Sequence, residues 1–265
     1  MNKISAITLA SLMAAATQAQ VIDPLTGSLS GYTTYLVNDA SLGAGQGVSF
    51  TDSASGLQAN YVGTGTSAEQ ALFLAPASSF STTFAVGDTL SVSTVVPVSS
   101  TAEDFGLAIS DAHPTAATSG VGWNSRTNFD WMSISIRPSQ TSIRQNTDIG
   151  GSATVPGTLT TGSFVMTGVS ASSVNGLYIS WVSADVFTLG YINSSDVEVP
   201  DDTVTFEGGS TIGTEIGFYA DLRATGTSLG DFSNLTIQPI PEPATIALCS
   251  VGGFLGLAGW MRRRK

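Results

Sequence analysis

Two short stretches hold most of the residue types that could do chemistry. In GVGWNSRTNFDW, the aromatics Trp123, Phe129 and Trp131 are mixed with Asn124, Arg126, Asn128 and Asp130. Sugars present apolar C–H faces ringed by hydroxyls, so an aromatic platform with planar amide and carboxylate neighbours suits glycan recognition. On this reading Trp123, Asn124, Arg126, Asn128 and Asp130 form a glycan-binding loop. Trp131 opens a patterned strand and is expected to face the core or to pack at its edge. The second stretch, SSDVEVPDD, gathers Asp196, Glu198, Asp201 and Asp202 within seven residues. Hard oxygen ligands at that density could hold Ca2+, although the spacing is not that of an EF-hand loop. The flanking serines and Pro200 favour a solvated acidic loop instead.

Other chemistry has little to work with. The single histidine, His113, stands before Pro114 in a loop-like stretch with no identifiable nucleophile, which disfavours a Ser-His-Asp triad and a zinc site alike. No catalytic residue is assigned, and the only cofactor considered is the Ca2+ above. The one cysteine, Cys249, lies in an uncharged run near the C-terminus, so the body before it can hold no disulfide.

The elements that must position these residues are strands. In WMSISIRP, Met132, Ile134 and Ile136 share one face, with Ser133, Ser135 and Arg137 on the other; Leu90, Val92, Thr94 and Val96 repeat the pattern in TLSVSTVVP. Further half-buried strands are expected in GYTTYLV, LQANYVG, QALFLA, FGLAIS, SFVMTGVS, LYISWVS, VFTLGYI, EIGFYADL and DFSNLTI, separated by Gly, Ser, Asn, Asp or Pro clusters. Trp181, Phe187 and Phe218 read as core. No convincing helix precedes the C-terminal tail. A dozen or so short strands without alternating helices predict an all-β, antiparallel sandwich or barrel over residues 20–238.

The two ends read differently. Lys3 precedes ISAITLASLMAAA, and TQAQ offers small residues for cleavage after Ala19, so residues 1–19 read as a signal peptide. Residues 244–261 carry no charge, and their apolar side chains point all round a helix that would cover about 27 Å. This is a transmembrane helix by pattern, and Arg262, Arg263, Arg264 and Lys265 would stop its transfer on the cytoplasmic side. Gly252 and Gly256 form a GxxxG pair that could support helix pairing. The body between holds four basic and nineteen acidic residues, a formal net charge of −15, which makes nucleic acid an unfavourable partner.

Pro241, Glu242 and Pro243, followed by the Gly-rich apolar run and the basic terminus, resemble the PEP-CTERM sorting signal of Gram-negative bacteria. That resemblance implies an exosortase-type membrane protease as partner, processing near the Pro-Glu-Pro motif within residues 239–265, and export associated with exopolysaccharide and biofilm. The protein would pass from an inner-membrane-anchored intermediate to the cell surface or the extracellular matrix. The order FAVGDTLSVST, FGLAIS, WMSISIR, LYISWVSADVFTLGY, EIGFYADL, DFSNLTI resembles the concanavalin A-like, or laminin-G-like, jelly roll. Some members of that superfamily are glucanases with a Glu-x-Asp-x-x-Glu motif, which this sequence lacks; Asp196 and Glu198 are its nearest approach. The combined expectation is a non-catalytic glycan-binding or structural component, the alternative being a divergent glycan hydrolase or lyase.

Overall fold

Alternation of apolar and polar residues produces fifteen strands among the residues that the computed structural model describes, which are 19–37, 47–62, 69–96, 104–110, 131–137, 142–148, 164–167, 169–206, 212–222 and 228–239. The strands are β1 Gln20–Asp23, β2 Thr33–Val37, β3 Gly47–Asp52, β4 Leu57–Val62, β5 Glu69–Pro76, β6 Asp88–Val96, β7 Asp104–Ser110, β8 Trp131–Arg137, β9 Ser142–Asp148, β10 Phe164–Thr167, β11 Val174–Ser183, β12 Val186–Asn193, β13 Glu198–Thr205, β14 Glu215–Leu222 and β15 Ser228–Pro239. They form two sheets in which every pairing is antiparallel. The first runs β13-β12-β11-β6-β15-β4-β3, with β1 also on β15, and the second runs β10-β9-β8-β7-β14-β5-β2.

The core lies between the sheets. Leu90 and Val92 of β6, Leu177 and Ile179 of β11, Phe187 and Leu189 of β12 and Phe232 and Ile237 of β15 meet Phe105, Leu107 and Ile109 of β7, Met132 and Ile134 of β8, and Ile216 and Phe218 of β14. Burial of each such side chain stabilises the fold by about 1.5–3 kcal/mol relative to exposure. Aromatic rings join the layers: Phe50 stacks on Phe73 at 4.6 Å, and Phe105 sits 4.6 Å from Phe232. Phe187 and Phe218 are fully buried as the pattern implies, and Trp181 packs partly buried against the same core.

Two expectations change. The stretch Glu198–Thr205 is an edge strand, and only residues 194–197 remain a turn. Pro200 tolerates this position because β13 is the end of its sheet, where a missing N–H breaks no ladder, and a register shift between Leu189 and Gly190 absorbs the crowding. The middle strands of the second sheet are also not half-buried. Asp104, Ser110, Ser133, Ser135, Glu215 and Asp221 point away from the inter-sheet core and are nevertheless buried.

Candidate functional site

The outer face of the seven-stranded sheet is where chemistry-bearing side chains converge. In DFGLAIS the residues Asp104, Gly106, Ala108 and Ser110 alternate away from the core, and in EIGFYADL the residues Glu215, Gly217, Tyr219 and Asp221 do the same. Register then places them in rows. Ser110 lies opposite Trp131 on one side and Glu215 on the other, and at the far end of the same strands Asp104 lies directly opposite Asp221. Side chains so opposed have Cβ atoms about 4.5–5.5 Å apart.

Between these rows the floor is made of small residues, and large rings lie across it. Trp131 and Tyr219 approach with centroids 5.4 Å apart and planes inclined by 31°. Leu72, Leu74 and Ala108 complete a second apolar cluster around them, with Tyr35 of β2 packed at its margin. Gly106 must be glycine: a Cβ there would be driven into the Ile134 carbonyl oxygen and the Ser135 backbone of β8. The face is shut off from solvent, with Trp131 and Tyr219 each 1% exposed, Asp104 0% and Asp221 1%. Asp104, Ser110, Trp131, Ser133, Ser135, Glu215, Tyr219 and Asp221 each take part in a hydrogen bond, ion pair, ring contact or electrostatic interaction. Burial pushes the Tyr35 phenol above its ordinary pKa, a hydrogen bond to Thr33 works against this, and the negative charge of Glu215 adds to it.

Trp131 is therefore a correction. It is buried, but it faces away from Met132 and Ile134 and belongs to the outer cluster rather than the inter-sheet core. None of Asp104, Glu215, Asp221 and Tyr219 stood out in the sequence. The available signal was Gly106, Ala108, Gly217 and Tyr219 on the side opposite the core, small and aromatic residues where an ordinary solvated face would carry charged and long polar groups.

The acidic stretch is placed clearly. Asp196 occupies the left-handed region at φ 58° in the β12–β13 turn, where the Asn193 side chain accepts hydrogen bonds from the N–H groups of Ser195 and Val197 at 2.9 and 3.1 Å. The Asn175 amide donates to Asp196 at 2.8 Å. Glu198 and Asp201 instead exert their charge on Tyr178 of β11, while Asp202 lies at the register position of Leu189. The acids thus divide between two surroundings. Among the described residues no three of His, Cys, Asp and Glu are grouped to hold a metal ion.

Trp123, Asn124, Arg126, Asn128, Asp130 and His113 lie outside the described residues, as do residues 1–18, Pro241, Glu242, Pro243, the run 244–261, and Arg262, Arg263, Arg264 and Lys265. No described helix is long and apolar enough to cross a membrane. The chain connectivity does fix where the connection 111–130 leaves and rejoins the body: its two ends, Ser110 and Trp131, are ladder partners beside Glu215.

No protein-family model matches the chain, and no curated protein does. Among solved structures it is similar to a GH16 of the Bacteroides ovatus mixed linkage glucan PUL in complex with a G4G4G3G product, at a TM-score of 0.43 and 10% identity over 81% of this chain and 95% of that one. It is also similar to a protein of unknown function from Shewanella oneidensis MR-1, at a TM-score of 0.36 and 13% identity over 89% of this chain and 93% of that one.

Proposed function

We propose that the protein is an exported, non-catalytic sandwich of the concanavalin A-like type that contacts glycan through the β7–β8 end of its seven-stranded sheet. One observation supports this above the others. The connection that carries Trp123, Asn124, Arg126, Asn128 and Asp130 is rooted at Ser110 and Trp131, next to Glu215 and on the face that holds the Trp131–Tyr219 pair. Long connections on a rigid sheet are favoured places for recognition, and the amide and carboxylate groups there match sugar hydroxyls. The test is a panel of polysaccharides presented to the purified protein, with Trp123→Ala alongside. Loss of binding with an unchanged circular dichroism spectrum is expected; loss of the fold would assign Trp123 to packing, and no binding by the parent would refute the reading.

A second reading rests on the Asp104–Asp221 pair. Retaining glycosidases use two carboxyl groups about 5–5.5 Å apart, and directly opposed strand positions, with Cβ atoms about 4.5–5.5 Å apart, bring two carboxyl groups into that neighbourhood. Closure of both groups from solvent weighs toward the binder. A reducing-end assay decides: activity lost in Asp104→Asn and Asp221→Asn would make the protein a hydrolase.

Delivery is proposed to follow from the ends of the chain. Residues 1–19 direct export, the apolar run holds the body outside the membrane, and an exosortase-type protease cuts near Pro241, Glu242 and Pro243, leaving the domain at the surface or in an exopolysaccharide matrix.

A further inference from the structure

The first sheet ends in two edges that are treated very differently. At one edge β13 carries Pro200, a register shift and the charges of Glu198, Asp201 and Asp202, all of which discourage another strand from pairing there. At the other edge β3, with the sequence GVSFTD, has no proline, no bulge in its pairing with β4, and a single charge at Asp52. Its backbone polarity can be worked out from the hairpin. Ser53 and Gly56 exchange hydrogen bonds at 2.8 and 3.3 Å, and bonded and non-bonded pairs alternate outward from such a turn. Thr51 with Gln58 and Ser49 with Asn60 are therefore the bonded pairs. Val48, Phe50 and Asp52 then direct their N–H and C=O groups away from β4, and among the described residues nothing pairs with them on that side.

These three positions are symmetric about Phe50. We infer that β3 is a homodimer edge, pairing antiparallel with β3 of a second copy so that Phe50 meets the second copy's Phe50 and Val48 meets the second copy's Asp52. A strand that is two-fold symmetric in its free groups is self-complementary, which is what an isologous interface requires. Charge opposes the approach of two copies, since the body carries −15. At this edge the opposition is least, because β3 holds a single carboxylate, Asp52, and in this register it faces a valine. Ser49 and Thr51, both exposed, would lie against the second copy's Thr51 and Ser49 as close non-bonded pairs. The Val48 and Phe50 side chains are already turned into the sandwich, where Phe50 stacks on Phe73, so pairing demands no repacking.

The test uses charge at those two exposed positions, which cannot disturb the core. Sedimentation equilibrium of the full chain in a mild nonionic detergent should give a dimer. Ser49→Lys with Thr51→Lys sets lysine against lysine twice and should weaken self-association by about tenfold or more. Ser49→Glu with Thr51→Glu should do the same, and mixing the two variants should restore a dimer containing one of each. Circular dichroism checks that both variants keep the fold. A monomeric parent across the concentration series overturns the inference. So does a dimer indifferent to both variants, which would be one held elsewhere, for example by the Gly252–Gly256 run.

Discussion

Tyr178 lies over Gly190 on the outer side of the eight-stranded sheet, so close that a Cβ on the glycine would meet the ring and its hydroxyl at 2.5 Å. Burial, with the negative charges of Glu198 and Asp201 in support, pushes its phenol from 10.0 up to about 12. The folded protein thus holds this proton more tightly than the unfolded chain does. Its contribution to stability is complete below pH 10 and is lost as the pH rises from 10 toward 12. Urea titrations at pH 9, 10, 11 and 12 should show this decline, and Tyr178→Phe should lessen it, leaving the part that belongs to Tyr32 and Tyr35, whose phenols burial also pushes up. Trp131 makes a different prediction. Removal of a large buried ring from the cluster with Tyr219, Leu72 and Leu74 should cost about 3–5 kcal/mol, read from the same titrations at neutral pH. That Trp131 would be buried could be read from its strand, but not which side it would take, because period two fixes only that it opposes Met132. The identity of the core side depends on sequence-distant partners such as Phe232.

At the scale of elements, β7 and β8 approach so closely at Gly106 that Gly106→Ala would force their backbones apart. The expected loss is about 1–3 kcal/mol or more, larger than for an alanine at an exposed strand position, and thermal melts of the variant measure it. The β12–β13 hairpin supports a prediction about calcium. Asp196 is held by Asn175, while Glu198 and Asp201 face Tyr178, so the acids do not converge and millimolar Ca2+ should leave the melting temperature unchanged. A rise would reveal a native-state site. Strands such as β8 and β14 are legible because their apolar residues alternate cleanly. Four others escaped. β1 is too short for a period to show, SIRQNTD of β9 is almost wholly polar, β13 holds Pro200 and three acids, and GVSFTD of β3 offers only two apolar side chains. For such segments it is the neighbouring strand, and not local preference, that decides the conformation.

The whole molecule is stitched by strands remote in sequence. β15 enters between β6 and β4 and also receives β1, and β14 enters between β7 and β5, so the second sheet is not complete until β14 is in place, nor the first until β15 is. Two layers of antiparallel strands followed from the sequence pattern, but this order did not, because pairing partners leave no trace in periodicity. Such non-local pairing predicts slow folding, on the millisecond-to-second scale or beyond, which stopped-flow tryptophan fluorescence would register. On the same scale, intact-mass measurement of protein from its native host should find a chain beginning near Gln20 and ending close to the Pro-Glu-Pro motif. A mass that retains Trp260 and the arginines would show a permanent anchor. The pairing of Ser110 with Trp131 has one more consequence. Because Ser110 and Trp131 share one rung, the two ends of residues 111–130 are fixed side by side whatever the number of residues between them, and each doubling of that number costs only about 0.6 kcal/mol of closure entropy. Evolution, or an engineer grafting a foreign epitope, could therefore insert residues at that rung at little entropic cost.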